Sequence, residues 1–128
     1  MTTNIRHIDL SYNNFQGDFL LDEELNYPNL EYLDVSHNHF KSDISSSIGS
    51  LKALQVLKLS NNLITGTLPA AVGTLGSLSI LDASENLLTG SIPPDLVHCS
   101  NLEQLLLHRN RFEGTIPNGL FRLSMLSK

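Results

Sequence analysis

The chain carries one pattern of apolar and polar positions that returns at a fixed interval. Residues 54–77 read LQVLKLSNNLITGTLPAAVGTLGS, and the pattern returns in residues 78–101 and 102–125. The three copies begin 24 residues apart, because 78 − 54 = 24 and 102 − 78 = 24. A fixed period of this size indicates a stack of similar structural units rather than an ordinary globular fold.

Each copy begins with a short predicted strand. Leu57 and Leu59 are two residues apart and therefore share one face of the strand, which we expect to be buried. Lys58 between them and Ser60 after them are expected to face outward. Asn62 follows at a fixed offset, and its amide can both donate and accept hydrogen bonds. We therefore expect this asparagine to satisfy main-chain groups that the turn leaves unpaired.

The second half of each copy predicts a bend followed by a short helical turn. Ile64 returns to the core, Gly66 permits a sharp bend, and Pro69 fixes φ and ends the hydrogen-bonded stretch. Val72 and Leu75 are then expected to bury one side of a short helical turn.

The first part of the chain fits the same frame with small departures. Five repeats are expected, at about residues 5–29, 30–53, 54–77, 78–101 and 102–125. Their structural asparagines are Asn13, Asn38, Asn62, Asn86 and Asn110. The first repeat has one extra residue, in the acidic connector at 22–24. Ser42 replaces the glycine of the second repeat, and Leu20 and Ser45 replace the prolines of the first two. We therefore expect the back side of these two turns to be less regular.

The ends of the sequence also bear on domain organisation. The repeat pattern starts within four residues of Met1, and the last three residues match the start of another repeat. A solenoid needs capping units with a polar outer face. We therefore expect an uncapped fragment of a longer protein.

The repeat pattern LxxLxLxxNxLxGxIP, present here as LSILDASENLLTGSIP, resembles the plant-type leucine-rich repeat family. The resemblance covers nearly the whole chain. It implies an α/β solenoid, a right-handed superhelix with a parallel inner β-sheet and short 3₁₀ or α turns on the outer side. It also implies a ladder of asparagines along one edge and a second short strand at the Gly-x-Ile-Pro segment.

Composition narrows the choice of partners. Hydrophobic residues make up 41% of the 128 residues, which is enough for one folded domain. The net charge is −5 with Lys and Arg scattered, so we expect no nucleic acid partner. The apolar runs are far shorter than the roughly 20 residues that cross a bilayer, so we expect no membrane contact by this segment.

No arrangement of residues predicts catalysis or a cofactor. His37 and His39 are two residues apart, but no cluster of cysteines or carboxylates completes a metal site. Cys99 is the single cysteine, and we expect it to be a small core residue. A serine that recurs after each strand indicates a structural or solvent-facing residue, not an activated nucleophile.

The positions that the repeat does not dictate are the candidates for ligand contact on the inner sheet. They are Asp9, Tyr12, Tyr32, Asp34, Val56, Lys58, Ile80, Asp82, His108 and Arg109. One interpretation is a surface for an extended peptide with a basic end near Asp9 and Asp34. The other is a solvated face, on which Lys58 neutralises its neighbours Asp34 and Asp82.

The resemblance implies a protein-binding module from the ectodomain of a plant receptor-like kinase or receptor-like protein, on the extracellular face of the plasma membrane. Its ligand would be a peptide, a small hormone or a protein, and a co-receptor ectodomain is a further expected partner. A secreted inhibitor of a cell-wall-degrading enzyme, located in the apoplast, and a purely structural scaffold segment stay open as alternatives. The chain itself is not expected to be an enzyme, and a serine/threonine kinase domain of the parent would lie outside it.

Overall fold

The core of the structure is a column of leucine and isoleucine side chains with one layer per repeat. The computed structural model describes residues 3–18 and 26–128. The first leucine of each of four repeats is fully buried, namely Leu30, Leu54, Leu78 and Leu102. Each layer packs on its neighbours along the chain, as expected for a quasi-one-dimensional fold.

Seven short strands form two sheets within the described residues. In chain order the strands are β1 His7–Asp9, β2 Gln16–Gly17, β3 Tyr32–Asp34, β4 His39–Phe40, β5 Val56–Lys58, β6 Ile80–Asp82 and β7 Gln104–Leu106. The inner sheet has the order β1-β3-β5-β6-β7, and all of its pairs are parallel. The core leucines Leu33, Leu57 and Leu81 are register partners at its centre. The expected parallel inner sheet is therefore confirmed.

The second sheet is shorter than the first. Strands β2 and β4 pair in parallel, and later repeats add only the single bridges Asp43–Thr65 and Thr67–Thr89 among the described residues. Pro69 follows two residues after Thr67 and cannot donate to a ladder, which limits the pairing in the third repeat.

Short 3₁₀ helices form the outer side of the coil. They are η1 Ser46–Ser50, η2 Ala70–Thr74, η3 Pro94–His98 and η4 Asn118–Arg122. The expected turns are therefore of the 3₁₀ type in every repeat from the second onward. No helix in the part of the chain that the structure describes is long and apolar enough to cross a membrane.

The prediction that the back side of the second repeat is less regular is wrong for its 3₁₀ helix. Ser45 has φ −66° and ψ 146°, close to the φ −72° and ψ 144° of Pro69 at the same position. The Ser45 hydroxyl also accepts a hydrogen bond from the main-chain NH of Ser47 at 3.2 Å, so a serine cap replaces the proline. Leu20 and the connector at 22–24 lie outside the described residues.

The same expectation is confirmed at the bend that precedes this helix. Gly66 and its equivalents have positive φ, whereas Ser42 does not. The Ser42 hydroxyl oxygen is buried without a hydrogen-bond partner among the described residues. The loss of the glycine therefore changes the bend but not the helix that follows it.

Candidate functional site

The inner sheet presents two aligned rows of side chains on its concave face. The first row contains His7, Tyr32, Val56, Ile80 and Gln104, and the second contains Asp9, Asp34, Lys58, Asp82 and Leu106. Neighbouring parallel strands lie about 4.8 Å apart, so each row is a continuous line of side chains. The unshifted register brings most of the candidate residues together on one surface.

A third row follows the strands, and every member has a left-handed backbone. Its residues have φ between 53° and 56° and are Tyr12, His37, Asn61, Glu85 and Arg109. Non-glycine residues seldom adopt this conformation, and here one copy occurs in each repeat. The third row contains two more candidates, Tyr12 and Arg109, at opposite ends. His108, the last candidate, is exposed just before Arg109.

The aspartates of the second row close a turn after the strand. Asp34 Oδ1 accepts hydrogen bonds from the main-chain NH of Ser36 at 2.9 Å and from its hydroxyl at 2.6 Å. Asp82 accepts the same two bonds from Ser84, at 3.1 and 2.6 Å. Asp34 is only 6% exposed, so little of its carboxylate is accessible from the face. These aspartates are therefore part of the scaffold as well as of the surface.

This turn also corrects the expectation that the serines face outward. Ser36, Ser60 and Ser84 are only 5%, 7% and 4% exposed. Serine is small and its hydroxyl can bond to a nearby acceptor, so it fits beneath the edge of the sheet. A signal for this turn is present in the sequence, because Asp-x-Ser recurs in three repeats as DLS, DVS and DAS.

Asp9 makes the same turn at the exposed end of the first strand. Its Oδ1 accepts hydrogen bonds from the Ser11 hydroxyl at 2.6 Å and from the Ser11 NH at 2.9 Å. These two bonds hold the pKa of the Asp9 carboxyl below its usual value. Desolvation of the carboxyl opposes them by raising the pKa, and the charges of the nearby His7 and Lys58, which are smaller causes, lower it.

Two parallel ring stacks within the three rows join the first two repeats. The rings of His7 and Tyr32 have centroids 4.1 Å apart and planes 1° apart. The rings of Tyr12 and His37 have centroids 4.0 Å apart and planes 9° apart. The Lys58 ammonium lies 5.8 Å from the centroid of the Tyr32 ring, within reach of a cation–π attraction. The sequence alone does not predict these stacks, because they depend on the register between repeats.

The middle and the far end of the face have a different character. Val56 and Ile80 are half-buried and adjacent, which gives a small apolar spot. Arg109 Nη1 lies 3.7 Å from Glu85 Oε2, and both side chains are substantially exposed. An exposed pair at this distance contributes little to stability. The face therefore runs from an acidic, aromatic end through an apolar centre to an end that carries Arg109.

The asparagines tie each repeat to the one before it. Asn86 Oδ1 accepts a hydrogen bond from the main-chain NH of Ile64 at 3.0 Å. Its Nδ2 donates to the carbonyls of Leu59 at 2.9 Å and Ser84 at 3.0 Å. Asn38, Asn62 and Asn110 make the corresponding bonds, whereas Asn13 donates, within the described part of the chain, only to carbonyls of its own repeat. These bonds fix the spacing of the three rows.

The side chains of Cys99, His37 and His39 lie in three different environments. Cys99 lies in the core, its thiol donates to the Val72 carbonyl at 3.4 Å, and burial raises the pKa of that thiol. His37 is stacked on Tyr12 and His39 is exposed. Within the described ranges, no three His, Cys, Asp or Glu side chains group as a metal site.

Family models for leucine-rich repeats match residues 28–88, and also residues 4–25 and 101–123. The chain belongs to the leucine-rich repeat family. The fold of leucine-rich repeat ectodomains is non-catalytic. No curated protein matches the sequence.

Solved structures of plant receptor ectodomains have the same fold. The Arabidopsis receptor kinase HAESA, crystallised with the peptide hormone IDA and the co-receptor SERK1, matches 96% of this chain and 20% of its own, with a TM-score of 0.89 and 38% identity. A TDR receptor matches 98% of this chain and 22% of its own, with a TM-score of 0.91 and 33% identity. A chain of the BIR3–SERK2 complex from Arabidopsis thaliana matches 73% of this chain and 50% of its own, with a TM-score of 0.71 and 39% identity. The chain thus spans half or less of each of these structures.

Proposed function

We propose that this chain is a ligand-recognition module that binds an extended peptide across its concave face. The observation that carries the proposal is the unshifted register, which aligns side chains that the repeat does not dictate into continuous rows. Several similar ectodomains support it, because they were crystallised with bound partners. HAESA was crystallised with the peptide hormone IDA, GASSHO1/SCHENGEN3 with CASPARIAN STRIP INTEGRITY FACTOR 2, and PEPR1 with AtPEP1.

The dimensions of the face set the length of the ligand. Five strands give four steps of about 4.8 Å, or about 19 Å in total. An extended peptide rises about 3.3 Å per residue, so about six residues cover the sheet. The apolar spot at Val56 and Ile80 would receive one apolar side chain near the middle of such a peptide.

We further propose that the parent protein is a receptor kinase or receptor-like protein, with this segment on the outer face of the plasma membrane. The solved structures that it resembles support this, because they include ectodomains of plant membrane receptor kinases. A co-receptor ectodomain is the second proposed partner, since HAESA was crystallised with SERK1. Sequencing the full-length transcript tests this proposal about the parent protein. An apolar span of about 20 residues after the repeats is expected, and its absence would contradict membrane attachment.

A peptide-selection experiment tests the binding function. The full chain would be immobilised and exposed to a pool of random linear heptapeptides, and selected peptides would be measured by isothermal titration calorimetry. We expect Ile80→Gln, which introduces the residue found in the same row at Gln104, to weaken binding by about fivefold through loss of apolar contact. Ser100→Gln, at an exposed position between η3 and the last inner strand, is the matched control and should change nothing. Failure to select any peptide would contradict the proposed function.

A further inference from the structure

The acidic end of the concave face has a carboxylate oxygen open to a ligand. Asp9 and Asp34 are register neighbours, and Lys58 follows Asp34 in the same row. Oδ1 of Asp9 is occupied by Ser11, whereas Oδ2 takes no hydrogen bond or ion pair from any described residue. Asp34 is buried directly beside it and adds a second negative charge. Within this row, the two negative charges of Asp9 and Asp34 therefore face one neighbouring positive charge, the ammonium of Lys58.

That ammonium is already placed against an aromatic ring. His7 covers Tyr32 from the side of β1 at a centroid distance of 4.1 Å. Lys58 comes from β5, on the other side of β3, and its Nζ lies 5.8 Å from the Tyr32 centroid. A cation within about 6 Å of a ring face is attracted to it. The tyrosine hydroxyl also donates to Asp34 Oδ2 at 3.4 Å, so the ring and the buried carboxylate form one unit that favours a positive charge nearby.

We propose that an acidic-aromatic patch, formed by Asp9, Tyr32 and Asp34, receives a cationic side chain of the peptide ligand. Lys58 holds this place as an internal cation when no ligand is bound. On binding, the ligand's cation replaces Lys58 on the face of Tyr32 that His7 leaves open, and the open oxygen of Asp9 attracts its charge. Lys58 then moves towards Asp82, its register neighbour on the other side. The inference rests on the proposed peptide-binding function and assigns one chemical feature to the ligand.

Arginine suits the patch better than lysine. Its guanidinium is planar and weakly hydrated, so it can stack on a ring and donate to a carboxylate at once. An ammonium is a compact, strongly hydrated charge, and the patch already contains one from Lys58. The preferred ligand is therefore a peptide with an arginine at the end that lies over the first two repeats.

A titration with small probes tests the patch directly. The full chain would be titrated with argininamide and, separately, with citrullinamide, which has nearly the same shape and the same α-amino group but no guanidinium charge. Binding would be followed by the NMR signals of the His7 and Tyr32 rings. We expect argininamide to shift these signals and to bind roughly threefold to tenfold more tightly than citrullinamide. Equal effects of the two probes would overturn the proposal.

Three substitutions separate the parts of the patch. Asp9→Asn removes the exposed charge and Tyr32→Leu removes the ring, and each should abolish most of the preference for argininamide. Lys58→Gln removes the competing ammonium beside Tyr32 and should tighten argininamide binding by roughly twofold to fivefold. Glu113→Gln makes the same charge change as Asp9→Asn at an exposed residue away from the inner sheet and should have no effect. Unchanged or weaker binding by Lys58→Gln would show that Lys58 is not the internal occupant.

The peptide selection separates this inference from the proposed function. Selected peptides that are enriched in arginine and lose affinity with Asp9→Asn would support both. Selected peptides without any cationic preference would overturn the acidic-aromatic patch and leave peptide binding in place. Because Asp9 is exposed, Asp9→Asn is expected to keep the fold even if Tyr32→Leu does not.

Discussion

Val97 on the outer side of the coil packs directly over Gly119 of the next repeat. A methyl group added at Gly119 would lie 2.6 Å from Val97 Cγ1, which is closer than two carbon atoms can approach. One repeat earlier, Gly73 faces Asp95 in a similar pair, and an added methyl group there would meet the Asp95 main chain. The outer helices thus approach each other closely where one partner has no side chain.

These contacts predict the effect of adding a methyl group. Gly119→Ala should lower the free energy of unfolding by about 1–3 kcal/mol, because the contact becomes overpacked. Val97→Ala should recover part of that loss in the double variant, since it removes the clashing atom. Gly73→Ala should cost at least as much as Gly119→Ala, because main chain cannot move aside. Urea unfolding of the four variants provides the measurement.

Gly76→Ala is the matched control for these substitutions. An added methyl group at Gly76 would meet nothing within 4 Å, and its φ is not positive. The change should be neutral or slightly stabilising, because alanine restricts the unfolded chain. A loss at Gly76 as large as that at Gly119 would show that close packing is not the cause.

The asparagine bonds predict a gradient of stability effects along the chain. Asn86→Ala leaves the NH of Ile64 and the carbonyl of Leu59 without their buried partner and should cost about 1–3 kcal/mol. Asn13→Ala should cost much less, because Asn13 is exposed and accepts no main-chain NH among the described residues. Thermal melts that rank the two variants equally would contradict this role.

Asp82→Ala should have an intermediate effect. It removes both hydrogen bonds to Ser84 and should cost about 0.5–1.5 kcal/mol. The sequence alone predicts that this substitution costs little, because the residue between the two core positions of the strand is expected to face outward. Urea unfolding of Asp82→Ala beside Asn86→Ala distinguishes the two expectations.

Replacing Lys58 by aspartate should set favourable hydrogen bonds against unfavourable charge repulsion. Lys58→Asp would create the missing Asp-x-Ser turn with Ser60, for a gain of about 1 kcal/mol. It would also place a third carboxylate between Asp34 and Asp82, at a repulsion of about 1 kcal/mol from each. We expect net destabilisation at low ionic strength, measured by urea unfolding. High salt should reduce it, because the repulsion is screened whereas the hydrogen bonds are not.

Lys58→Asn is the control for that substitution, since asparagine can close the same turn without charge. Its unfolding free energy should change little with salt concentration. If Lys58→Asp is equally destabilised in low and high salt, repulsion between carboxylates is not the main cause of the loss.

Asp9 predicts a pH dependence with a defined sign. Its folded-state pKa is lowered from 3.8, so its contribution to stability is present above that value and is lost as the pH falls through the folded-state pKa. Ser11 supplies the largest cause of the shift. In Ser11→Ala, the NMR titration midpoint of the Asp9 carboxyl should therefore move up towards 3.8. An unchanged midpoint would show that the hydrogen bond from the Ser11 hydroxyl is not the main cause of the lowered pKa.

The sequence predicts what depends on the repeat, and fails where adjacent repeats interact. The inner strand and the burial of Leu57 follow from a period that every copy repeats, and the parallel pairing follows from the family resemblance. The stack of His7 on Tyr32 depends on which residue of one repeat lies opposite which residue of the next. The contact of Val97 with Gly119 depends on the same information. The outward orientation predicted for the serines is wrong because strand alternation stops where the strand ends.

The row of left-handed residues separates side-chain identity from backbone shape. Tyrosine, histidine, asparagine, glutamate and arginine all occupy it with φ within a few degrees of one another. Each non-glycine residue there costs about 1–2 kcal/mol of backbone strain, and the adjacent asparagines hold it in place. The side chains of this row can therefore be replaced one at a time while the backbone conformation stays the same. Such a row is suited to diversification, both in the divergence of receptors with different ligands and in libraries built on this scaffold.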